Sequence, residues 1–329
     1  MPGAKAPRKA AWLDRLPGPW PNLGAVLLDT PAPCTGSWPH QPPRGARVPS
    51  YLRPTTLPDA LAALQARPRT VLAGGTDHFP ARATWEPDED ILDLTGLHGL
   101  RGITRGGGAW RIPALTTWTD VIAADLPPLF DGLRAAARQV GGWQIQNAGT
   151  LAGNICTASP AADGVPALLA LDAGVELGSA AGLGMVTRTL ALQDFVLGPR
   201  RTARRPDELV LALLVPDRPA RSVFLKLGAR RYLVISVTMA AVTLGQDAAG
   251  RVTHARVAVG SCGPRAERLP GLEAALLGQV PHAGLARAEH LQPLQPITDV
   301  RGSAGYRYGA TLELLRRALD GFQARSVAA

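Results

Sequence analysis

Residues 140–163, VGGWQIQNAGTLAGNICTASPAAD, hold four glycines, two asparagines, three hydroxyl residues and no charge before Asp163. Side chains this small leave backbone N–H groups open to close approach, and two such segments meeting at one point can cradle a diphosphate with neutral donors alone. The stretch reads as a polar loop. It contains no lysine, so it is not GxxxxGK[ST], and it is not GxGxxG following a strand. A second loop matches it in kind. At residues 70–79, TVLAGGTDHF, a short β-branched and apolar run ends in Gly74, Gly75, Thr76 and Asp77, the pattern of a strand entering a phosphate-facing turn. Either loop alone reads first as a tight turn of an α/β protein.

Taken together, AGGTD and the later QIQNAGTLAGNICTASPAADGVPALLALDA resemble the flavin-binding subunits of molybdenum hydroxylases, the medium subunits of xanthine and carbon monoxide dehydrogenases. The resemblance covers residues 51–319. It implies a mixed α/β (α+β) chain: a two-lobed FAD-binding domain of the vanillyl-alcohol-oxidase/PCMH type, then a C-terminal antiparallel three-stranded sheet with helices. It further implies that Val71, Leu72, Ala73, Gly74, Gly75, Thr76, Asp77 and His78 wrap the pyrophosphate and ribityl region, mainly through backbone. Thr150, Leu151, Ala152, Gly153 and Asn154 would form the second clamp. Asp163 would reach the adenosine end, Val210 would contact it from a strand, and Lys226 would lie beside the isoalloxazine. The FAD would be non-covalent and this chain metal-free, with a 2Fe–2S cluster in a small partner subunit and molybdopterin in a large one, as a heterotrimer or a dimer of heterotrimers. NAD or another acceptor would take the electrons. Three positions depart from the family pattern: Ala152 replaces the first glycine of a TxGGN motif, Val140 stands where some members place an aromatic, and Val234 occupies an often acidic position. Tyr232 is then the candidate for stacking on the flavin.

Other features bound the possibilities. A chain of 329 residues with 46% hydrophobic content can bury two or three cores. No stretch of 18 apolar residues exists, and the apolar run at residues 23–28 is stopped by Asp29, so neither a membrane span nor a secretory signal is expected and the protein reads as cytoplasmic. Cys34, Cys156 and Cys262 lie far apart, with no CxxC pair and no histidine at ligand spacing, so neither zinc nor an iron–sulfur cluster is encoded. The net charge of +9 is concentrated in residues 1–47 and 195–232, without an aromatic-interleaved basic face, which argues against nucleic acid. Lys226 is the sole lysine after position 9 in an arginine-rich chain. A compact ammonium required at that place and a strand residue snorkelling to solvent explain this equally well.

Taken in order, residues 1–47 contain ten of the thirty prolines and read as an extended arm. The FAD-binding domain is expected over 48–219, with lobes at about 48–105 and 106–219, then a C-terminal domain over 220–323 and a tail over 324–329. Leu57, Leu61 and Leu64 share a helix face, with Thr56 as cap and Pro58 in the first turn. Strands are expected at 70–73, 90–94, 109–115, 174–178, 185–190 and 209–215, and helices at 129–140 and 166–172. Three alternating runs, 222–228, 234–244 and 252–259, predict the antiparallel sheet. Ser303 caps a last helix whose Leu312, Leu315, Leu319 and Phe322 line one face.

Flavin chemistry needs little acid–base machinery from a protein, since the fold supplies binding and orientation. That agrees with a sequence lacking any His/Ser/Asp constellation or paired carboxylates, and no residue is assigned a catalytic role. The leading expectation is an oxidoreductase subunit that passes electrons from an iron–sulfur partner through FAD. A binding or assembly protein with structural FAD and a free-standing flavin oxidase remain as alternatives.

Overall fold

The computed structural model describes residues 49–82, 89–182 and 184–326, with side chains to residue 323. The extended arm expected over 1–47 lies outside the described residues. Helix Leu57–Ala66 begins where the sequence places it: Thr56 is the N-cap and its hydroxyl accepts from the Asp59 N–H at 3.3 Å. Ala60, Leu61 and Leu64 are buried on its inner face, the expected result of i, i+3, i+4 spacing.

Among the described residues the strands form three sheets and a two-stranded hairpin. A small parallel sheet runs in the order Tyr51–Leu52, Ile91–Asp93, Thr70–Leu72, and its central strand is buried throughout. A five-stranded antiparallel sheet follows, in the order Thr104–Gly106, Ala109–Pro113, Leu209–Pro216, Gly174–Ala181, Gly184–Ala191. Leu209–Pro216 is central there, and its near-continuous apolar sequence matches burial on both faces.

The three strands expected near the C-terminus form as Arg221–Leu227, Thr238–Gln246 and Val252–Gly260, all antiparallel, with a two-residue fourth strand, Glu267–Arg268, at the edge. The middle strand starts four residues later than its alternation predicts. Leu233, immediately before the run, is left-handed (φ 52°), and the Ser236 hydroxyl turns away to Asp163. The last helix, Ala304–Ser326, receives its cap from Ser303, which accepts from the Tyr306 N–H at 3.2 Å. It buries Leu315, Leu319 and Phe322, while Leu312 is only half-buried. The helix runs three residues into the expected tail.

Two local readings are corrected. The helix expected over 129–140 is shorter, Asp131–Ala137, with a single 3-10 turn before it, and left-handed Gly141 (φ 56°) lies in the turn beyond it. Residues 140–163 are not a polar loop throughout, since they contain helices Trp143–Ala148 and Leu151–Thr157. Thr150 caps the second by accepting from the Gly153 N–H at 2.9 Å, and Leu151 and Ile155, one turn apart, anchor it in the core. Next comes helix Gly164–Ala170, buried at every residue and packed against strands Thr238–Gln246 and Val252–Gly260. No helix of the described residues is long and apolar enough to cross a membrane.

Candidate cofactor-binding cleft

The two glycine-bearing segments, 70–79 and 140–163, meet directly at their backbones. A Cβ built on Gly74 would stand 1.8 Å from the Ala148 carbonyl oxygen and 2.5 Å from its carbon. Only glycine permits that approach. The second segment is braced from below by residues 116–118. Trp118 N–H donates to the Gly149 carbonyl at 3.2 Å, Leu151 N–H donates to the Thr116 carbonyl at 3.1 Å, and Thr117 bridges Thr150. The Trp118 ring is 2% exposed and packs so close to Gly164 that a Cβ there would lie 2.5 Å from it. Sequence reasoning missed Trp118. Its signal was the capping box at Thr117 and Asp120, which makes Trp118 the first residue of a helix.

Between the segments lies a cleft of about 670 Å³, inside the size range of cofactor sites. Of the residues the resemblance nominates, Val71, Leu72, Ala73, Gly74, Gly75, Thr76, Asp77, His78, Thr150, Ala152, Gly153, Asn154 and Val210 line it. Three do not. Leu151 is fully buried and its N–H is taken by Thr116, because it belongs to the core face of its helix. Asp163 and Lys226 pair with each other: Lys226 Nζ lies 2.6 Å from Asp163 Oδ2, and the side chains are 5% and 8% exposed. The Ser236 hydroxyl donates to the other carboxylate oxygen at 2.6 Å. Burial pushes the Asp163 carboxyl above its ordinary range, and Lys226 and Ser236 pull it partly back. A lone lysine is therefore explained by a buried carboxylate, not by snorkelling, since its ammonium is out of water.

The chemistry of the wall fits a dinucleotide. The N–H groups of Gly74, Gly75, Thr76, Asp77 and His78 have no acceptor among the described residues. Five successive free donors on a turn with Gly75 at φ 67° form a concavity suited to an anion. The buried Asn154 Oδ1 also lacks a partner. His78 is pushed below its ordinary value by burial first and by the Arg82 charge second, so at neutral pH it adds no positive charge. Gly153, by contrast, has already committed its N–H to Thr150. Cys156 lies on the wall, half-buried, and burial drives its thiol up to about 11. Among the described residues no group of three or more His, Cys, Asp or Glu stands together as a metal-binding set.

The wall also contains cations that the reading with neutral donors alone did not include: Arg69, Arg200 and Arg204. Arg69 donates to Ser50 and the Ala63 carbonyl, and Arg204 to the Glu208 carbonyl at 2.7 Å. Arg200 pairs with Asp77 at 3.2 Å, the side chains 69% and 50% exposed. Its backbone is left-handed (φ 54°) and its N–H donates to the Ala158 carbonyl at 3.2 Å. A left-handed backbone costs an L-residue roughly 1–2 kcal/mol, and an exposed ion pair returns about 0–1 kcal/mol.

Paired glycine segments and a cleft of N–H donors without acceptors among the described residues define a dinucleotide-binding site, and comparison with known proteins identifies which kind. The family described as the FAD binding domain in molybdopterin dehydrogenase matches residues 46–218, and the CO dehydrogenase flavoprotein C-terminal domain matches 224–321. The chain belongs to this family of FAD-binding molybdenum hydroxylase subunits. It is 36% identical over 225 residues to the nicotinate dehydrogenase FAD-subunit of Eubacterium barkeri, covering 65% of this chain and 74% of that one. It is 30% identical over 275 residues to the nicotine 6-hydroxylase medium subunit of Paenarthrobacter nicotinovorans, covering 82% and 95%. A chain of carbon monoxide dehydrogenase from Hydrogenophaga pseudoflava superposes with a TM-score of 0.75 at 27% identity, covering 85% of this chain and 99% of that one.

Proposed function

We propose that this chain is the electron-transfer subunit of a cytoplasmic molybdenum hydroxylase, placed between an iron–sulfur partner and NAD or another acceptor. The observation that carries it is the row of N–H donors from Gly74 to His78, without acceptors among the described residues, lining one cleft with Thr150 and Asn154. Bound FAD would supply the redox chemistry, and the protein's part is to bind and orient it. Residues 71–78 would hold the diphosphate by backbone. Thr150, Ala152, Gly153 and Asn154 would form the facing wall, and Val210 an apolar contact. Asp163 and Lys226 act from beneath: their ion pair ties the segment after helix Leu151–Thr157 to strand Arg221–Leu227, so the wall keeps its position. Tyr232, 59% exposed in the segment before the middle strand, is available to cover the flavin ring. A small 2Fe–2S subunit and a large molybdopterin subunit are the proposed partners, as the printed names of the medium subunit and FAD-subunit relatives support. The domain division proposed is 48–219 for FAD and 220–323 for the C-terminal unit.

The test is direct. The purified chain is expected to take up one FAD, released intact by denaturation, and to contain no stoichiometric iron or molybdenum. Within the assembled complex, the reduced iron–sulfur partner should bleach that flavin. A chain that carries its own iron–sulfur signal, or a flavin the reduced partner leaves oxidised, refutes the proposal.

Cys156 offers an independent readout of where the cofactor sits. A thiol held at about 11 reacts slowly with alkylating reagents, and FAD in the cleft should slow it by a further tenfold or so through steric exclusion. Peptide mass mapping separates it from Cys34 and from buried Cys262. Equal labelling of Cys156 with and without FAD places the cofactor elsewhere.

A further inference from the structure

Arg200 sits at a point where the backbone is unfavourable for any side chain, yet it carries a long cation into the cleft wall. It belongs to the hairpin formed by Val196–Gly198 and Arg201–Thr202. That hairpin is pinned at its base: Ala203 N–H donates to the Phe195 carbonyl at 2.8 Å, and Arg265 donates to the Val196 carbonyl at 2.9 Å. The hydrogen bond from Arg200 N–H to Ala158 fixes its tip against the end of helix Leu151–Thr157. The backbone is thus held while the guanidinium stays largely in water, reaching Asp77 on the opposite glycine turn. The pair joins both sides of the cleft beside the five free N–H groups. Asp77 is the only acid on the described wall, and a diphosphate entering there carries more negative charge than one exposed carboxylate and offers oxygens that a planar fork can bind in pairs.

Resting on the FAD reading above, we propose that Arg200 is a phosphate-binding residue, held by Asp77 in the free protein and handed to the diphosphate when the dinucleotide enters. The hairpin then acts as a charged strap, and Asp77 acts as a competitor that keeps the guanidinium extended over the turn until the ligand arrives. Asp77 contributes its backbone N–H to the same anion, so its two halves have opposite effects on binding.

The exchange predicts effects of opposite sign for the two partners. Flavin-free full-length chain is titrated with FAD, with ADP, which has the diphosphate but no flavin, and with riboflavin, which has the flavin but no phosphate. Arg200→Gln keeps the stem and the backbone but removes the charge; it should weaken FAD and ADP by the same factor, roughly tenfold, and leave riboflavin unchanged. Arg200→Lys should recover part of the loss. Asp77→Asn, which keeps the N–H and removes the competing charge, should bind FAD and ADP a few-fold tighter, and an affinity that stays the same overturns the competitor role. Added salt should weaken wild type more steeply than Arg200→Gln. Equal FAD affinity in Arg200→Gln and wild type overturns the proposal. So does an equal loss for riboflavin, or a loss in Asp77→Asn matching that of Arg200→Gln, which marks a static pair shaping the cleft. Failure of wild type itself to bind FAD overturns the cofactor reading first, a result distinct from all of these.

Discussion

Replacing Lys226 with methionine should destabilise the protein by about 3–5 kcal/mol, the range seen when one partner of a buried ion pair is removed. Methionine fills much of the lysine stem's volume, so little of the loss comes from packing. The loss comes from Asp163, left 8% exposed with the Ser236 hydroxyl as its remaining side-chain donor. In a chain of this size the midpoint of thermal unfolding should drop on the order of 10 °C. The sign of the pH dependence follows from the carboxyl. Its folded value is raised above the ordinary one, chiefly by burial, and without Lys226 it rises further. The folded state then binds the proton more tightly than the unfolded state, so folding loses stability as pH rises through that window and regains it as pH falls. The deficit of Lys226→Met should therefore be largest at neutral pH and narrow on acidification. The double variant with Asp163→Asn should recover most of the loss, since no unpaired charge stays buried. Urea unfolding of the three proteins at several pH values decides it, and a Lys226→Met deficit below about 1 kcal/mol that ignores pH would mean the ammonium is not needed by Asp163.

Gly74→Ala should be nearly as damaging and should act on the cleft itself. The added methyl would overlap the Ala148 carbonyl at 1.8 Å, with Gly149 nitrogen at 3.0 Å behind it. These are backbone atoms held by helix Trp143–Ala148 and by the Trp118 brace, so they cannot swing aside as a side chain can. Forcing them apart is overpacking, costing about 3 kcal/mol, and it separates the two walls, so FAD affinity should fall at least a hundredfold. Gly153→Ala is the comparison. Its methyl meets only the Thr150 hydroxyl, at 2.9 Å, so the cost is a disturbed helix cap of about 1 kcal/mol. Calorimetry and FAD titration should order the two variants clearly, and an equal or greater effect at Gly153 would mean that close phosphate approach, not contact between the segments, sets the need for glycine.

What the sequence determined by itself was largely what depends on near neighbours. Thr56 and Ser303 as caps, the apolar face at Leu61 and Leu64, the strand entering Gly74, and the alternation of 222–228 and 252–259 are all local matters of spacing and capping. The structure realises them within a few residues. The resemblance carried by the two glycine segments added the family and thirteen of the residues that line the cleft. Even there, Thr150 with Leu151 and Ile155 one turn apart already encodes a capped helix inside a glycine-rich polar stretch.

Tertiary structure decided the rest, because partners far apart in sequence are chosen by which surfaces face each other. Nothing near Lys226 reveals that its ammonium is spent on Asp163, 63 residues away. Composition could show that one lysine was unusual, but only burial shows why a carboxylate there requires it. Likewise the need for glycine at position 74 comes from the carbonyl of Ala148, and the place of Arg200 from a pinned hairpin that brings it to Asp77, 123 residues distant. Local pattern specifies the elements; desolvation and excluded volume, which exist only once the elements pack, specify the site.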